Sequence, residues 1–477
     1  MSFTDNIAFL DATAQAELVA NGEITSLELV DAAISRVENL NPQINAVVTK
    51  MYDHARDAAL RSDHSGSFGG VPFLVKDFLA EYAGIRFTEA SSFLKDFVPE
   101  TDSELVRRYK NAGLITIGKT NAPEFAIGAT TEPELFGSTH NPWDLRLTPG
   151  GSSGGAAAAV ASGMVPMAHG NDAGGSIRIP AACCGVFGLK PTRGRVPLGP
   201  HFGDVFSGLV AEHALTKSVR DSAALLDAVA GSMLGDPHIA PEQLRPFVDE
   251  AGTPPGRLVI AFSTESPTDT DVHPECVKAV EEAVRLCEEL GHTMVEAAPI
   301  YDAELLWKSV TTSIAVGVAW TILDWERRLD RRAIEDEIEP FIWIMREKGS
   351  QVGAPEYLLI QQDLQRITRQ VTAFFRDHDM WLTPTLGQPP LPLGSLKYTG
   401  GDPFEVRRKQ ASFSPFTQLS NATGQPSMSV PLHWSDDGLP VGIHFLGKFG
   451  DEATMFRLAG QLELSRPWAY RRPPVSI

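Results

Sequence analysis

Two glycine- and serine-rich stretches and one lysine are the residues of this sequence best suited to doing chemistry. The first stretch reads Pro149-Gly150-Gly151-Ser152-Ser153-Gly154-Gly155, and the second, about twenty residues on, reads Gly170-Asn171-Asp172-Ala173-Gly174-Gly175-Ser176-Ile177-Arg178. Successive amides of Ala173, Gly174, Gly175 and Ser176 can form a nest, because glycine reaches dihedrals other residues avoid. Beside a nucleophile such a nest is an oxyanion hole, and Ser176 ends the run. A serine hydroxyl attacks poorly at neutral pH without a base. His169 precedes the loop and suits a core or supporting role. Lys76 is the better candidate: it ends the apolar run Val71-Pro72-Phe73-Leu74-Val75, where burial would lower its pKa. A neutral lysine near pH 7 needs a shift of about three units, roughly 4 kcal/mol. That requires Asp77 next door to point away, as strand alternation would have it.

Three other readings compete for these glycines. A flexible linker would run on into polar sequence, whereas an alanine-rich helix follows at Ala156 to Ala161. Gly151-Ser152-Ser153-Gly154-Gly155 fits G-x-S-x-G with Ser153 as nucleophile, but that motif needs a buried strand before it. Here a loop with Pro142 and Pro149 precedes it. Gly113-Leu114-Ile115-Thr116-Ile117-Gly118-Lys119-Thr120 fits the P-loop pattern. A helix comes first, however, Gly113 reads as its C′ residue, and Leu-Ile-Thr-Ile reads as a strand. Lys119 is therefore expected to be structural, and nucleotide binding is disfavoured.

The elements that position these residues follow from pattern. Thr25 to Glu28, Thr101 to Glu104 and Ser218 to Asp221 fit the capping box at helix starts. Apolar runs at Val71 to Val75, Leu114 to Ile117, Leu258 to Phe262, Met380 to Leu382 and Ser427 to Pro431 read as strands. Strands alternating with helices imply an α/β protein with a largely buried mixed sheet. A proline-rich connector between Asp236 and Arg257 could hinge two halves. Residues from Ala303 to about Asp377 read as a helical block, either a cover over a substrate cleft or ordinary outer helices. Its Trp307, Trp320, Phe341 and Trp343 could wall a pocket, although a core role suits each at least as well.

Composition narrows the partners. The 477 residues are 43% hydrophobic, enough for a large core, and 60 acidic against 41 basic side chains give a net charge of −19. So acidic a surface repels phosphate backbones and argues against nucleic-acid binding. No basic region followed by an apolar core opens the chain, and the uncharged stretches near Ala156 and Val310 look too short or too rich in glycine and serine to span a bilayer. No membrane association is expected. Cys183, Cys184, Cys276 and Cys287 form no metal or redox motif; they read as buried thiols, and they fit a reducing cytoplasm. Neither a metal nor a cofactor is expected.

The same residues carry a resemblance to the amidase signature family, whose block reads G-G-S-S-G-G, then G-x-D-x-G-G-S-[IV]-R-x-P, then G-L-K-P-T-x-G-R-x-P. The chain matches at Gly150 to Gly155, Gly170 to Pro180 and Gly188 to Pro197. It also matches at Gly118-Lys119-Thr120-Asn121 with Glu124-Phe125-Ala126, at Asn141-Pro142-Trp143, and at Gly438-Leu439-Pro440-Val441-Gly442. The resemblance implies one domain over residues 1–477. Its central mixed, twisted β-sheet would carry helices on both faces, with a signature core at about 65–235 and a helical substrate-side block at about 303–378. It implies Ser176 as acylated nucleophile, Ser152 (joined to Gly151 by a cis peptide) as proton relay, and Lys76 as neutral base. The amides of Ala173, Gly174 and Gly175 would be the oxyanion hole, with substrate contacts at Ala126, Ile127, Gly128, Asn171 and Trp320. Two departures stand out: Asn171 replaces the usual Thr or Ser, and Glu212-His213-Ala214-Leu215-Thr216 replaces a Gly-Pro-containing stretch that would form one wall of the site. Asp11 to Val19, Thr131-Glu132-Pro133-Glu134 and Gly170 to Ala173 look most like the 6-aminohexanoate-cyclic-dimer hydrolases. The implied substrates are small, fairly apolar amides, linear, cyclic or aryl, with carbamates and the amidase subunit of a tRNA-dependent amidotransferase as alternatives. Water is the second reactant, and a homodimer is left open.

Overall fold

Strand alternation sets which residues of this chain meet. The computed structural model describes residues 7–62 and 65–477; residues 1–6, on which the reading of the N-terminus partly rests, lie outside them. The strands are β1 (Val47–Lys50), β2 (Pro72–Lys76), β3 (Ile115–Thr120), β4 (Met167–Asp172), β5 (Phe187–Lys190), β6 (Ala211–Thr216), β7 (Val259–Phe262), β8 (Thr293–Glu296), β9 (Met380–Pro384), β10 (Ser427–Trp434) and β11 (Pro440–Gly447). They join in one sheet in the order β1-β3-β2-β4-β6-β5-β10-β11-β9-β7-β8. Strand β2 runs parallel to β3 and β4, and β7 parallel to β8 and β9, while β4–β6, β5–β10, β10–β11 and β9–β11 are antiparallel. The sheet is mixed, as expected.

Each face carries its own apolar layer. Phe73 and Val75 of β2 pack with Leu105, Ala223, Cys276 and Met455, residues of helices Glu104–Asn111, Val219–Val229, Pro274–Glu289 and Glu452–Ser465. Leu74, of opposite parity, packs with Ala156 to Val160 of helix Gly154–Ala161 and with Ala181 of helix Arg178–Cys184. Lys76 shares the parity of Leu74 and so faces the layer that the Ser152 loop enters.

Several elements differ in extent from their expectation. β3 continues through Lys119 and Thr120, fully buried. Lys119 Nζ lies 3.2 Å from Asp77 Oδ1, and it is a buried strand residue rather than part of a phosphate loop. Thr25 and Glu28 close the expected capping box. Near Thr101 the cap is instead Ser103, because Asp102 accepts the Ala83 N–H and pairs with Lys110. Ser218 caps its helix, but Asp221 turns to Ala12 and Thr13. The proline-rich connector is pinned: Arg195 Nη1 donates to the Pro241 carbonyl, and Glu250 pairs with Arg245 and Arg457. Cys276 and Cys287 share one helix, and all four thiols are buried and free.

The helical block consists of Ala303–Leu329, Pro340–Ser350 and Ala354–Phe374. The first, of 27 residues, is long and apolar enough to cross a membrane, contrary to the reading near Val310. Its Leu306, Val310, Ile314, Val318, Ile322 and Trp325 are instead buried in a third apolar cluster with Ala261 of β7, Trp381 of β9 and Leu446 of β11.

Candidate active site

The C-terminal end of β2 meets the loop before helix Gly154–Ala161. Lys76 is fully buried there, and its Nζ lies 2.7 Å from Ser152 Oγ, 3.0 Å from Ser153 Oγ and 2.6 Å from Asn171 Oδ1. The Gly151–Ser152 peptide is cis. A Cβ on Gly151 would lie 2.4 Å from the Thr130 carbonyl oxygen, so only glycine lets the loop pass this close to the neighbouring backbone.

Burial lowers the Lys76 pKa to about 7, against the opposing pull of Glu212 and Asp172. Asp77 does not counter the shift. Its Oδ1 faces Lys119, and its Oδ2 accepts from the Thr88 amide at 3.1 Å and the Thr88 hydroxyl at 2.6 Å. A neutral amine has two hydrogens and one lone pair, and the three neighbours can be matched to them. Asn171 Oδ1 can only accept. Ser153 Oγ donates to the Asn171 carbonyl at 3.3 Å, so toward Lys76 it too accepts. The lone pair is left for the hydroxyl hydrogen of Ser152. This assignment gives a physical reason for Ser152 over Ser153, which the sequence separated only through the family resemblance.

His169 and Glu212 support the lysine from β4 and β6. The Lys76 backbone N–H donates to His169 Nδ1 at 3.2 Å, which makes Nδ1 the acceptor and leaves Nε2–H to donate to Glu212 at 2.6 Å. Sequence reading gave His169 a supporting role and Glu212 a place in a cleft wall. Glu212 lies instead beneath the site, opposite Asn171 in the β4–β6 ladder.

Asp172 organises the second stretch. It accepts from the amides of Gly175 at 2.7 Å and Ile177 at 3.1 Å, and its carboxylate pairs with buried Arg178 at 2.8 Å. Burial alone would raise its pKa, but Arg178, Asn421 and Lys190 hold it well below the usual carboxylate range. Arg178 also donates to the Thr417 carbonyl, Ser420 Oγ and Asn421 Oδ1. The Ser153 amide donates to the Ser176 carbonyl at 3.2 Å, tying the two stretches together. Among the described residues no hydrogen bond joins Ser152 Oγ to Ser176 Oγ.

Ser176 opens onto a cleft. Ala126, Ile127, Gly128, Ala173 and Gly174 line it, as do Ile179, Phe206 and Ile314. Three expected site residues differ from their expected roles. Gly175 turns its N–H to Asp172, Asn171 is buried against Lys76, and Trp320 is an exposed residue beside Phe202 in a separate recess with Glu89 and Trp325. Trp307, Phe341 and Trp343 do not line the Ser176 cleft either. Sequence reading missed Arg407 and Gln410 of helix Pro403–Phe413, Ser414 just past its end, and Gln418 of helix Gln418–Thr423, which also line the cleft. Among the described residues no group of three or more His, Cys, Asp or Glu is placed to hold a metal.

Comparisons with known proteins place the whole chain beside amidases. A sequence model described as Amidase matches residues 28–456. The chain is 38% identical over 476 residues to the 6-aminohexanoate-cyclic-dimer hydrolase of Paenarthrobacter ureafaciens, covering 97% of this chain and 96% of that protein. It superimposes on a substrate complex of 6-aminohexanoate cyclic dimer hydrolase with a TM-score of 0.93 and 37% identity, over 98% of this chain and 99% of the other. A bacterial aryl acylamidase of the amidase signature enzymes gives a TM-score of 0.88 at 27% identity, over 97% of each chain.

Proposed function

Because the chain belongs to the amidase signature family, we propose that it hydrolyses small, fairly apolar amides through an acyl-enzyme on Ser176. Ser176 Oγ attacks the amide carbonyl carbon. Its proton passes to Ser152 as the Ser152 proton passes to neutral Lys76. The oxyanion takes the N–H groups of Ala173 and Gly174, with that of Ser176 in place of the one Gly175 gives to Asp172. Collapse breaks the C–N bond, and the relay run backwards protonates the departing amine. Water then attacks the acyl-enzyme along the same path and releases the acid.

The observation that carries this reading is the set of contacts around Lys76, in which Ser152 alone can give its proton to a neutral amine. The apolar walls Ile127, Ile179, Phe206 and Ile314 support a substrate with an apolar body. The names of the relatives support secondary and aryl amides, and carbamates belong in the same assay because the mechanism would accept them. We further propose that the whole chain works as one cytoplasmic domain, alone or as a homodimer.

The test is a panel of anilides, cyclic lactams, carbamates and primary amides on the purified chain. Ser176→Ala should lower kcat by at least about a thousandfold and abolish labelling by a fluorophosphonate. Unchanged hydrolysis by that variant would end the proposed mechanism. Activity only with a partner protein would favour an amidotransferase subunit.

A further inference from the structure

Arg407 is the charge in the Ser176 cleft that the proposed mechanism does not use. It lies on helix Pro403–Phe413, only 7% exposed, and lines the cleft together with Ser176. Its Nη1 donates to Gln410 Oε1 at 2.9 Å, and Gln410 Nε2 is held by the Leu396 carbonyl at 3.2 Å. Its Nε is buried with no partner.

Two other buried guanidiniums of this protein meet carboxylates, Arg178 with Asp172 and Arg195 with Glu452, each at 2.8 Å, and Arg36 donates to the Met164 carbonyl. Arg407 takes part in no ion pair among the described residues. Burial lowers its pKa to about 10, with no carboxylate opposing the shift. At that value it remains a cation at neutral pH. Across Gln410, the carboxylates Glu132, Glu134 and Glu339 line a separate recess, and Glu132 is engaged by Gly394 N–H and Thr130 Oγ1. They leave the guanidinium unneutralised.

A buried cation without a counter-ion is costly unless a ligand supplies the charge. The planar guanidinium matches a carboxylate, whose two oxygens can take parallel N–H bonds. We propose that the preferred substrate carries a free carboxylate remote from the scissile amide, and that Arg407 binds it in the Ser176 cleft. The claim deepens the amidase reading and rests on it. Arg407 is then a specificity residue, and Gln410 holds its fork in place. The apolar walls would contact the chain between the carboxylate and the amide.

Two substrate arms locate the carboxylate. Mono-anilides of glutaric and adipic acid carry it on the acyl part, and N-benzoyl derivatives of ω-amino acids such as aminopentanoic and aminohexanoic acid carry it on the amine part. Each is compared with a chain-matched neutral amide. In one arm the wild-type chain should favour the acid by about tenfold or more in kcat/KM, the scale of one charge-assisted bond. Arg407→Gln should collapse that ratio toward one, mainly through KM, and Arg407→Lys should restore part of it.

Binding gives an independent reading. Calorimetry of glutaric acid mono-anilide and an N-benzoyl ω-aminopentanoic acid against Ser176→Ala should show binding of one of them, weakened when Arg407→Gln is added. Equal hydrolysis of acid and neutral members in both arms would overturn the proposal and leave the serine mechanism standing. So would binding indifferent to Arg407, or no binding of either acid. No hydrolysis in any arm together with no fluorophosphonate adduct on Ser176 would instead overturn the amidase reading.

Discussion

At the scale of the residue, the site depends on one amine being free of its proton. With the Lys76 pKa lowered to about 7, kcat/KM should fall about tenfold per pH unit below that value and level off above it. A pH–rate profile with no limb between pH 6 and 8 would remove Lys76 as the base. The same shift bears on stability. In the unfolded chain lysine titrates near 10.4, so between about 7 and 10 the unfolded state binds more protons and stability rises with pH. Lys76→Met, though inactive, should therefore gain stability over wild type at pH 6 and lose that gain toward pH 10, as denaturant melts at the two pH values would show. The serines should also separate. Ser152→Ala is expected to cost at least about a hundredfold in kcat, and Ser153→Ala clearly less, because the Ser153 hydrogen already goes to the Asn171 carbonyl.

At the scale of the element, strands and caps were legible because alternation and N-cap chemistry are local, and the lysine at the end of β2 came with them. Arg407 was not. Glu405-Val406-Arg407-Arg408-Lys409 reads as a solvated charge run, and only the packing of that helix against the cleft buries one of its cations. Trp320 misled in the opposite sense: a large aromatic in an apolar helix suggests a pocket wall, but helix rotation turns it outward. In the sequence only the family resemblance set Ser152 above Ser153; the physical distinction comes from the contacts of Lys76 at the end of β2 and Asn171 of β4. The long helix Ala303–Leu329 is itself tied to the segment after β2, where Trp325 Nε1 donates to Glu89 at 3.2 Å. Burial raises the Glu89 pKa to about 8, with Glu81 and Asp77 adding to the shift and Trp325 opposing it. Between about pH 4 and 8 the folded state then holds the extra proton, so stability falls as pH rises. Glu89→Gln removes that titration, and its melting temperature relative to wild type should climb from pH 6 to pH 9.

At the scale of the whole molecule, Arg178 joins the signature stretch to the C-terminal half. Its partners Asp172, Thr417, Ser420 and Asn421 span some 250 residues of chain. The sequence displayed Arg178 within a motif, but nothing in its neighbourhood named partners so far along the chain. Arg178→Met should cost about 3–5 kcal/mol, because Asp172 would be left buried and unpaired. Chemical denaturation would measure this, and a loss under about 1 kcal/mol would mean that the pair is dispensable.

Lys76 and Asp77 are adjacent in sequence, yet they serve separate networks on opposite sides of the sheet. The chemistry of this site is thus written in a reading frame of two. One residue deleted from β2 ahead of Lys76, with the upstream pairing kept, would put Asp77 in the place of Lys76 and present a carboxylate to Ser152. A second deletion would return Lys76 to its own face but two positions along the strand from its place beside Ser152. Chains descended from this one should therefore accept many substitutions along β2 but very few single-residue insertions or deletions.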